Sequence, residues 1–300
     1  MNADIDVIVL DLDGGDSLLA LLRSLELQTI RPARVVIVDN GSNVSVERRL
    51  RKNSPLPLHL IRSEENLGFT GGINLAMREV SSRLVAWINN DVVLAPDWLE
   101  ALRHHFEDPE VAAVQSIIAA TDGSVDGAGI SISNGIFEQE LYREDSSRFS
   151  ELIDPWGISA TAAMYRCAAL QDVALGSDVL HPEFFAYYED VELSARLRAQ
   201  NWVMRIEPRV LATHEGSRTS SRLGGFGKRL RVRNRYFVRQ LHPGVGRYQD
   251  LLAEDARRIW WELGRGRFRE AFRTARGVLA GMQRVQPASI SHRPSPRGDG

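Results

Sequence analysis

The sequence holds a single cysteine, Cys167, among its 300 residues. No internal disulfide can form, and nothing in the thiol content points to an oxidising compartment. No run approaches the roughly 18 apolar residues needed to span a bilayer. The first residues, Met1-Asn2-Ala3-Asp4-Ile5-Asp6, lack the basic segment that opens a signal peptide, so the cytoplasm is the expected compartment. Internal repeats are absent, and no G-x-G-x-x-G follows the first apolar run, which excludes the dinucleotide fingerprint. Net charge is also nearly absent, at −2. That balance conceals an asymmetry: residues 228–300 carry a net +11 and residues 1–227 a net −13. Opposite charge in two halves implies either a basic tail packed on an acidic body or separate partners for the two halves.

What is present is an alternation of strand and helix signals. Val7–Leu10, Val35–Val38, Leu58–Ile61, Leu84–Ile88 and Val111–Val114 are short apolar runs of the kind that lie buried in a parallel sheet. Between the first two, Ser17 precedes Leu18, Leu21, Leu22 and Leu25 at helical spacing. Pro96–Phe106 reads as a helix with proline in its first turn, and Glu189–Gln200 as another, stopped at Asn201. Trp202–Ile206 and Val210–Thr213 read as two short strands, and the chain beyond Gly227 reads as helices. Residues 122–154 are rich in Gly, Ser and charge, consistent with strands and loops crossing the front of the sheet. The expected fold class is α/β, a mostly parallel, Rossmann-like sheet flanked by helices. The expected domains are an α/β body over 1–225, a basic helical extension over 226–286, and a disordered tail over 287–300.

Ligands of such sheets bind beyond the carboxyl ends of the strands. Three clusters lie there. Asp39-Asn40-Gly41-Ser42 ends the second strand. Glu65 to Asn74, with Gly68, Gly71 and Gly72, follows the third and leads into a helix, whose N-terminus favours an anion; a tight turn into the helix accounts for it equally. Asn89-Asn90-Asp91 ends the fourth: one carboxylate flanked by amides can hold Mg²⁺ or Mn²⁺ when diphosphate and water complete the shell, and an Asx-turn is the plainer reading. Further on, Phe184-Phe185-Ala186-Tyr187-Tyr188 delivers Glu189 and Asp190 to a helix start. This is either charge capping or a general base placed for an attacking hydroxyl.

Together these segments resemble glycosyltransferase family 2, of the GT-A fold, and its bacterial rhamnosyltransferase-like branch. Val38–Ser42, Asn66–Asn74, Asn89–Asp91, Ala162–Arg166, Glu189–Leu193 and Pro208–His214 stand in the family's order over roughly residues 5–220. The resemblance implies an inverting transfer of a sugar, with dTDP-rhamnose as the favoured donor, to a glycan or lipid-linked acceptor. It makes Asp39 a nucleobase contact, and lines the donor pocket with Asn66, Gly68, Gly72, Asn74, Asn89 and Asn90. It assigns the metal (Mg²⁺ or Mn²⁺) to Asp91 and His214, the base to Asp190, and the acceptor side to Trp156 and Glu189. Three departures stand out. Asp11 and Asp13 follow the first strand, where two acids would repel a diphosphate. Ala160 replaces a common glycine, and Glu192 a common aspartate. Asp11, Asp13 and Ala160 motivate a second reading, a non-catalytic sugar-nucleotide-binding or assembly protein. A nucleotidyltransferase on a related sheet is disfavoured by the Glu189-Asp190 helix start.

In the basic extension, Trp260, Trp261, Phe268, Phe272, Leu279 and Met282 alternate with arginines. An Arg-rich helix with aromatics on another face suits a membrane interface, which would make the protein peripheral at the inner face of the cytoplasmic membrane. Packing on the body or a homodimer contact would use the same residues. No nucleic-acid-binding module accompanies the charge, so no nucleic-acid partner is expected.

Overall fold

The computed structural model describes residues 4–50, 55–133, 136–139, 155–216 and 218–285; the tail expected to be disordered lies outside them. Strand β1 (Ile5–Asp11) pairs in parallel with β2 (Arg34–Asn40) and β4 (Leu84–Asn89), and β2 with β3 (Leu58–Ser63). The runs are apolar throughout because both sheet faces are covered, and successive side chains serve opposite cores. Val7 and Val9 join Val35 and Ile37 under α1 (Asp16–Glu26) and α4 (Trp98–His104). Ile8 joins Val36, Val38, Val85 and Trp87 under α3 (Gly68–Met77) and α6 (Glu189–Ala199). In α1 the expected Leu18, Leu21, Leu22 and Leu25 are the buried ones. A one-turn helix, α2 (Val46–Arg49), follows β2.

The sheet continues with β10 (Ala162–Arg166), antiparallel between β4 and β6 (Val111–Ala120), then β11 (Val203–His214), parallel to β6. The short β5 (Val92–Leu94) closes the edge against the end of β11, giving the order β3-β2-β1-β4-β10-β6-β11-β5. The parallel arrangement thus holds for β3-β2-β1-β4 and for β6–β11, with β10 running against both neighbours. The two short strands expected after Trp202 are one strand, whose register slips between Glu207 and Val210. Pro208, which has no N–H to donate, lies within that slip. The helix expected from Pro96 starts at Trp98 and ends in a 3₁₀ turn, His105–Glu107. In the front segment, β7 (Val125–Gly127) pairs with β6, and β8 (Ile130–Ser133) with β9 (Ile136–Gln139). A short helix, α5 (Cys167–Asp172), follows β10.

Three helices follow the sheet: α7 (Arg218–Leu241), α8 (Tyr248–Gly264) and α9 (Phe268–Gly281). α7 begins before the expected boundary and bends at Gly224 (φ 45°, ψ −124°). α9 crosses it closely through Gly277 and Gly281, where an added Cβ would come within 2.6 Å of Val232 and 2.7 Å of Tyr236. α8 is held by Asp255, buried, which accepts from Tyr236 Oη at 2.8 Å and Arg235 at 2.5 Å. Among the described residues no helix is long and apolar enough to cross a membrane.

Candidate active site

The ends of β2 and β4 form the floor of the site. Asp39, buried at the end of β2, accepts from the Ser42 and Val46 backbone N–H groups (3.1 and 3.0 Å) and from Arg62 (2.6 Å). Burial pushes its pKa up, but hydrogen bonds from Ser42, Val46 and Arg62 prevail and hold it below the usual carboxylate value. Asn40 knots the neighbouring loop: its side chain accepts from Leu67 N–H (2.9 Å) and donates to Gly68 C=O (3.0 Å) and Asn66 Oδ1 (3.3 Å). Asn66 in turn accepts from Gly68 N–H at 2.9 Å. Gly68 has φ +71°, and a Cβ there would stand 2.3 Å from the Phe185 carbonyl oxygen. That carbonyl also accepts from Thr70 N–H (3.1 Å). The glycine loop therefore packs directly on the aromatic turn before Asp190.

Gly72 and Asn74 act one layer back. Gly72 lets α3 approach the Leu10 side chain, which a Cβ would meet at 2.8 Å. Asn74 is buried and fully engaged with the backbone of Val179 and Leu180. Asp11, the last residue of β1, and Asp13 are also absorbed by the scaffold. Asp11 is buried and accepts from Asn90 (2.8 Å) and Gly14 N–H (3.3 Å). Asp13 (φ 52°) accepts from the backbone and side chain of Asn43 (3.0 and 2.8 Å), clamping the loop after Asp39.

At the end of β4, Asp91 is buried and lies 3.1 Å from His214 Nε2, at the end of β11. The other ring nitrogen, Nδ1, lies 2.8 Å from Asp126. Burial pulls the imidazole pKa down, yet the hydrogen bonds to Asp126 and Asp91 prevail and raise it to about 9. Without a cation, His214 is therefore an imidazolium between two carboxylates. Among the described residues no cluster of three or more His, Cys, Asp or Glu side chains forms a ready cage. The donor set still suits a divalent ion that shares its shell with a diphosphate: a carboxylate, an imidazole, and a second carboxylate orienting that imidazole. Cation binding there must displace the imidazolium proton.

The opposite wall is the start of α6. Phe185, Tyr187 and Tyr188 have φ of 64°, 71° and 68°, a conformation bulky side chains rarely adopt. The turn persists because α7 holds it: Asn234, fully buried, donates to the carbonyls of Phe184, Ala186 and Tyr187 at 3.0, 2.9 and 2.7 Å. Arg233 donates to Glu183 and Phe184 carbonyls at 2.7 and 3.0 Å. The turn then presents Glu189 and Asp190. Burial raises Asp190 to about 6, although the N–H groups of Val191 and Ala160 pull the other way. Glu189 is buried with no hydrogen-bond partner on Oε2 among the described residues, and burial, then the neighbouring Asp190, push it well above the usual carboxylate range. Glu192 has another task. It pairs with Arg196 (2.8 Å) and His242 (3.1 Å), and although burial opposes this, those contacts bring it to about 2.

Asp91 and Asp190 belong to one end of the sheet. Asn89 N–H donates to Thr161 C=O at 2.8 Å, and the next residue back, Ala160, supplies an N–H to Asp190. The contacts thus gather Asp39, Asn66, Gly68, Asn89, Asn90, Asp91, His214, Glu189 and Asp190 around the strand ends. Trp156 packs half-buried on a satellite core with Ile130, Phe184, Val191 and Tyr188. Sequence reasoning missed Arg62, Asp126 and the role of Asn234. The site partners of the first two lie 23 and 88 residues away, and those of Asn234 lie 47 to 50 residues away.

Residues 7–174 match the family model described as Glycosyl transferase family 2, and the chain belongs to that family. Among curated proteins it is similar to the pre-mycofactocin glycosyltransferase of Mycobacterium tuberculosis (25% identity, 71% of this chain, 43% of that protein). It also resembles the N-acetylglucosaminyl-diphospho-decaprenol L-rhamnosyltransferase of the same species (24% identity, 74% of this chain, 79% of that protein). Among solved structures it is similar to S. aureus TarS (TM-score 0.54, 17% identity, 81% of this chain, 40% of that chain). A shorter TarS, 1-349, in complex with UDP-GlcNAc superposes with TM-score 0.56 (18% identity, 79% of this chain, 66% of that chain). GalNAc-T7 with UDP, GalNAc and Mn²⁺ gives 0.56 (13% identity, 70% of this chain, 42% of that chain). At these identities the structural likeness establishes the GT-A fold. The chain spans less than half the length of the mycofactocin relative and of full TarS.

Proposed function

We propose that this protein is an inverting glycosyltransferase that moves a sugar from a nucleoside diphosphate to a hydroxyl of a lipid-linked glycan acceptor. The observation that carries the reading is the pairing of two carboxyl sites at one sheet end: Asp91 with His214, and Asp190 at the start of α6 with its pKa raised to about 6. A base poised near neutrality suits removal of a hydroxyl proton. In the proposed step the acceptor oxygen attacks the anomeric carbon as its proton passes to the Asp190 carboxylate. The bond from that carbon to the diphosphate breaks on the far side, which inverts the centre. Asp91 and His214 would hold Mg²⁺ or Mn²⁺, and the ion, when bound, offsets charge on the departing diphosphate. Asp39, whose ionised form is favoured by hydrogen bonds from Ser42, Val46 and Arg62, accepts from the nucleobase. Asn66 and the backbone at Gly68 border the donor.

A dTDP-rhamnose donor is supported by the decaprenol rhamnosyltransferase relative, whose name also gives a lipid-linked substrate. Contact with the inner face of a membrane is supported by the outward aromatics of α8 and α9, with Trp260 74% and Phe268 67% exposed. In this reading a catalytic body and a helical extension share α7, because Asn234 braces the turn before Asp190. Release of nucleoside diphosphate from a panel of sugar nucleotides tests the reading. It should depend on a divalent ion and on an acceptor alcohol, and should fall at least a hundredfold in Asp190→Asn. Acceptor-dependent release at the parent rate in that variant removes Asp190 as the base.

A further inference from the structure

We propose that the basic cleft between α7, α8 and α9 is the subsite for the diphosphate of the acceptor lipid. This rests on the transferase reading and adds a place where the acceptor is held. The cleft has a volume of about 1110 Å³, and its lining includes six cationic side chains against the two carboxylates of Glu262 and Glu270. Half of those cations are neutralised internally. Lys228 bridges Glu262 and Glu270, each at 2.8 Å; Arg235 pairs with Glu254 and Asp255; Arg258 lies 3.5 Å from Glu262. Arg231, Arg267 and Arg269 are exposed and have no carboxylate partner among the described residues. Guanidinium groups converging on one cleft bind phosphate oxygens in pairs, which a diphosphate satisfies better than a single phosphate.

Position argues for the acceptor rather than the donor. The donor's diphosphate is assigned to Asp91 and His214, whereas the cleft is lined by Tyr188, two residues before Asp190. Successive Cα atoms are about 3.8 Å apart, so the Asp190 backbone lies within about 8 Å of Tyr188, roughly the reach of one sugar ring. Arg231 stacks on Tyr187 at 4.7 Å, tying the cleft to the same turn. A phosphate held here would place the sugar it carries within about one ring's reach of the start of α6. Apolar groups flank the other side. Phe268 and Trp261 border the cleft, and an adjoining hollow of about 350 Å³ shares Arg269 and is lined by Phe226 and Phe272. Phe268, Phe272, Trp261 and Phe226 are all exposed, giving a prenyl chain an apolar path away from the phosphates.

The test is direct binding without vesicles. Geranyl diphosphate and geranyl monophosphate are titrated against intrinsic tryptophan fluorescence, to which Trp261, 4.1 Å under Arg265 and 5.4 Å from Arg267, contributes at the cleft. The protein should bind the diphosphate at least tenfold more tightly than the monophosphate. The R231Q/R267Q/R269Q variant should lose that affinity at least tenfold with an unchanged melting temperature, and R269Q alone should lose part of it. Equal affinity for the two probes, or undiminished binding by the triple variant, overturns the proposal. So does a variant that loses only pelleting with phosphatidylglycerol vesicles while still binding soluble geranyl diphosphate; the surface would then serve phospholipid headgroups. If no sugar nucleotide is ever cleaved, the transferase reading fails, and the titration still decides whether a diphosphate binds.

Discussion

Asp190→Asn should abolish transfer and also make the protein more stable at neutral pH. The folded carboxyl titrates near 6, against 3.8 for an unstrained aspartate. Because the folded value is raised, ionising Asp190 costs the native state free energy wherever the unfolded chain would ionise it freely. The sign is therefore destabilising: zero below about pH 4, where both states are protonated, growing from 4 to 6, and constant above. A shift of about two units corresponds to roughly 3 kcal/mol at most. Asp190 keeps part of its surface open, and an amide accepts from Val191 and Ala160 less well than a carboxylate, so a net gain of about 1–2 kcal/mol is expected. In a chain of this size that raises Tm by about 2–6 °C. Thermal denaturation of parent and variant at pH 4 and pH 7.5 is the assay. The gain should appear at pH 7.5 and vanish at pH 4. An equal Tm difference at both values, or a loss at pH 7.5, refutes the claim that burial strains this carboxyl.

Other consequences follow from single contacts. Acceptor-dependent transfer should fall about tenfold per pH unit below about 6, because the base works ionised; a profile flat down to pH 4.5 would place the proton elsewhere. Asn234→Ala strands the carbonyls of Phe184, Ala186 and Tyr187. It should cost about 2–4 kcal/mol in denaturant unfolding and lower kcat more than it weakens donor binding. Gly68→Ala pushes a Cβ into Phe185 C=O at positive φ, for an expected loss of more than about 2 kcal/mol, read by chemical denaturation. Asp126→Asn removes the carboxylate that orients His214 and should weaken Mn²⁺ binding, measured with nucleoside diphosphate present, by about 10–100-fold.

Much of the fold was legible because apolar runs of four or five residues, alternating with leucines at helical spacing, admit few arrangements. The clusters after Val38 and Ile88 were legible for the same reason, since a polar run that interrupts a buried strand marks a strand end. What stayed hidden depended on partners remote in the chain. Asp11 and Asp13 read as repulsive because their hydrogen-bonding partners, Asn90 and Asn43, are fixed only by folding. The antiparallel placement of β10 follows from neighbours at residues 84–89 and 111–120 that no local pattern names. Asn74 was placed at the donor pocket by the resemblance alone; its hydrogen bonds go to Val179 and Leu180, more than a hundred positions away. The bracing of the turn before Asp190 by Asn234 escaped notice because the extension read as a separate unit.

The central claim is that two acids distant in sequence, Asp91 and Asp190, serve one bound sugar nucleotide. Crystals grown with a nucleoside diphosphate sugar and Mn²⁺ test it most directly, by the position of the manganese anomalous peak relative to the two carboxylates. The account predicts a peak at bonding distance from Asp91, bridged by the diphosphate, with the Asp190 carboxylate facing the anomeric carbon from the opposite side. An ordered nucleotide whose manganese lies away from Asp91, or whose sugar lies out of reach of Asp190, contradicts it.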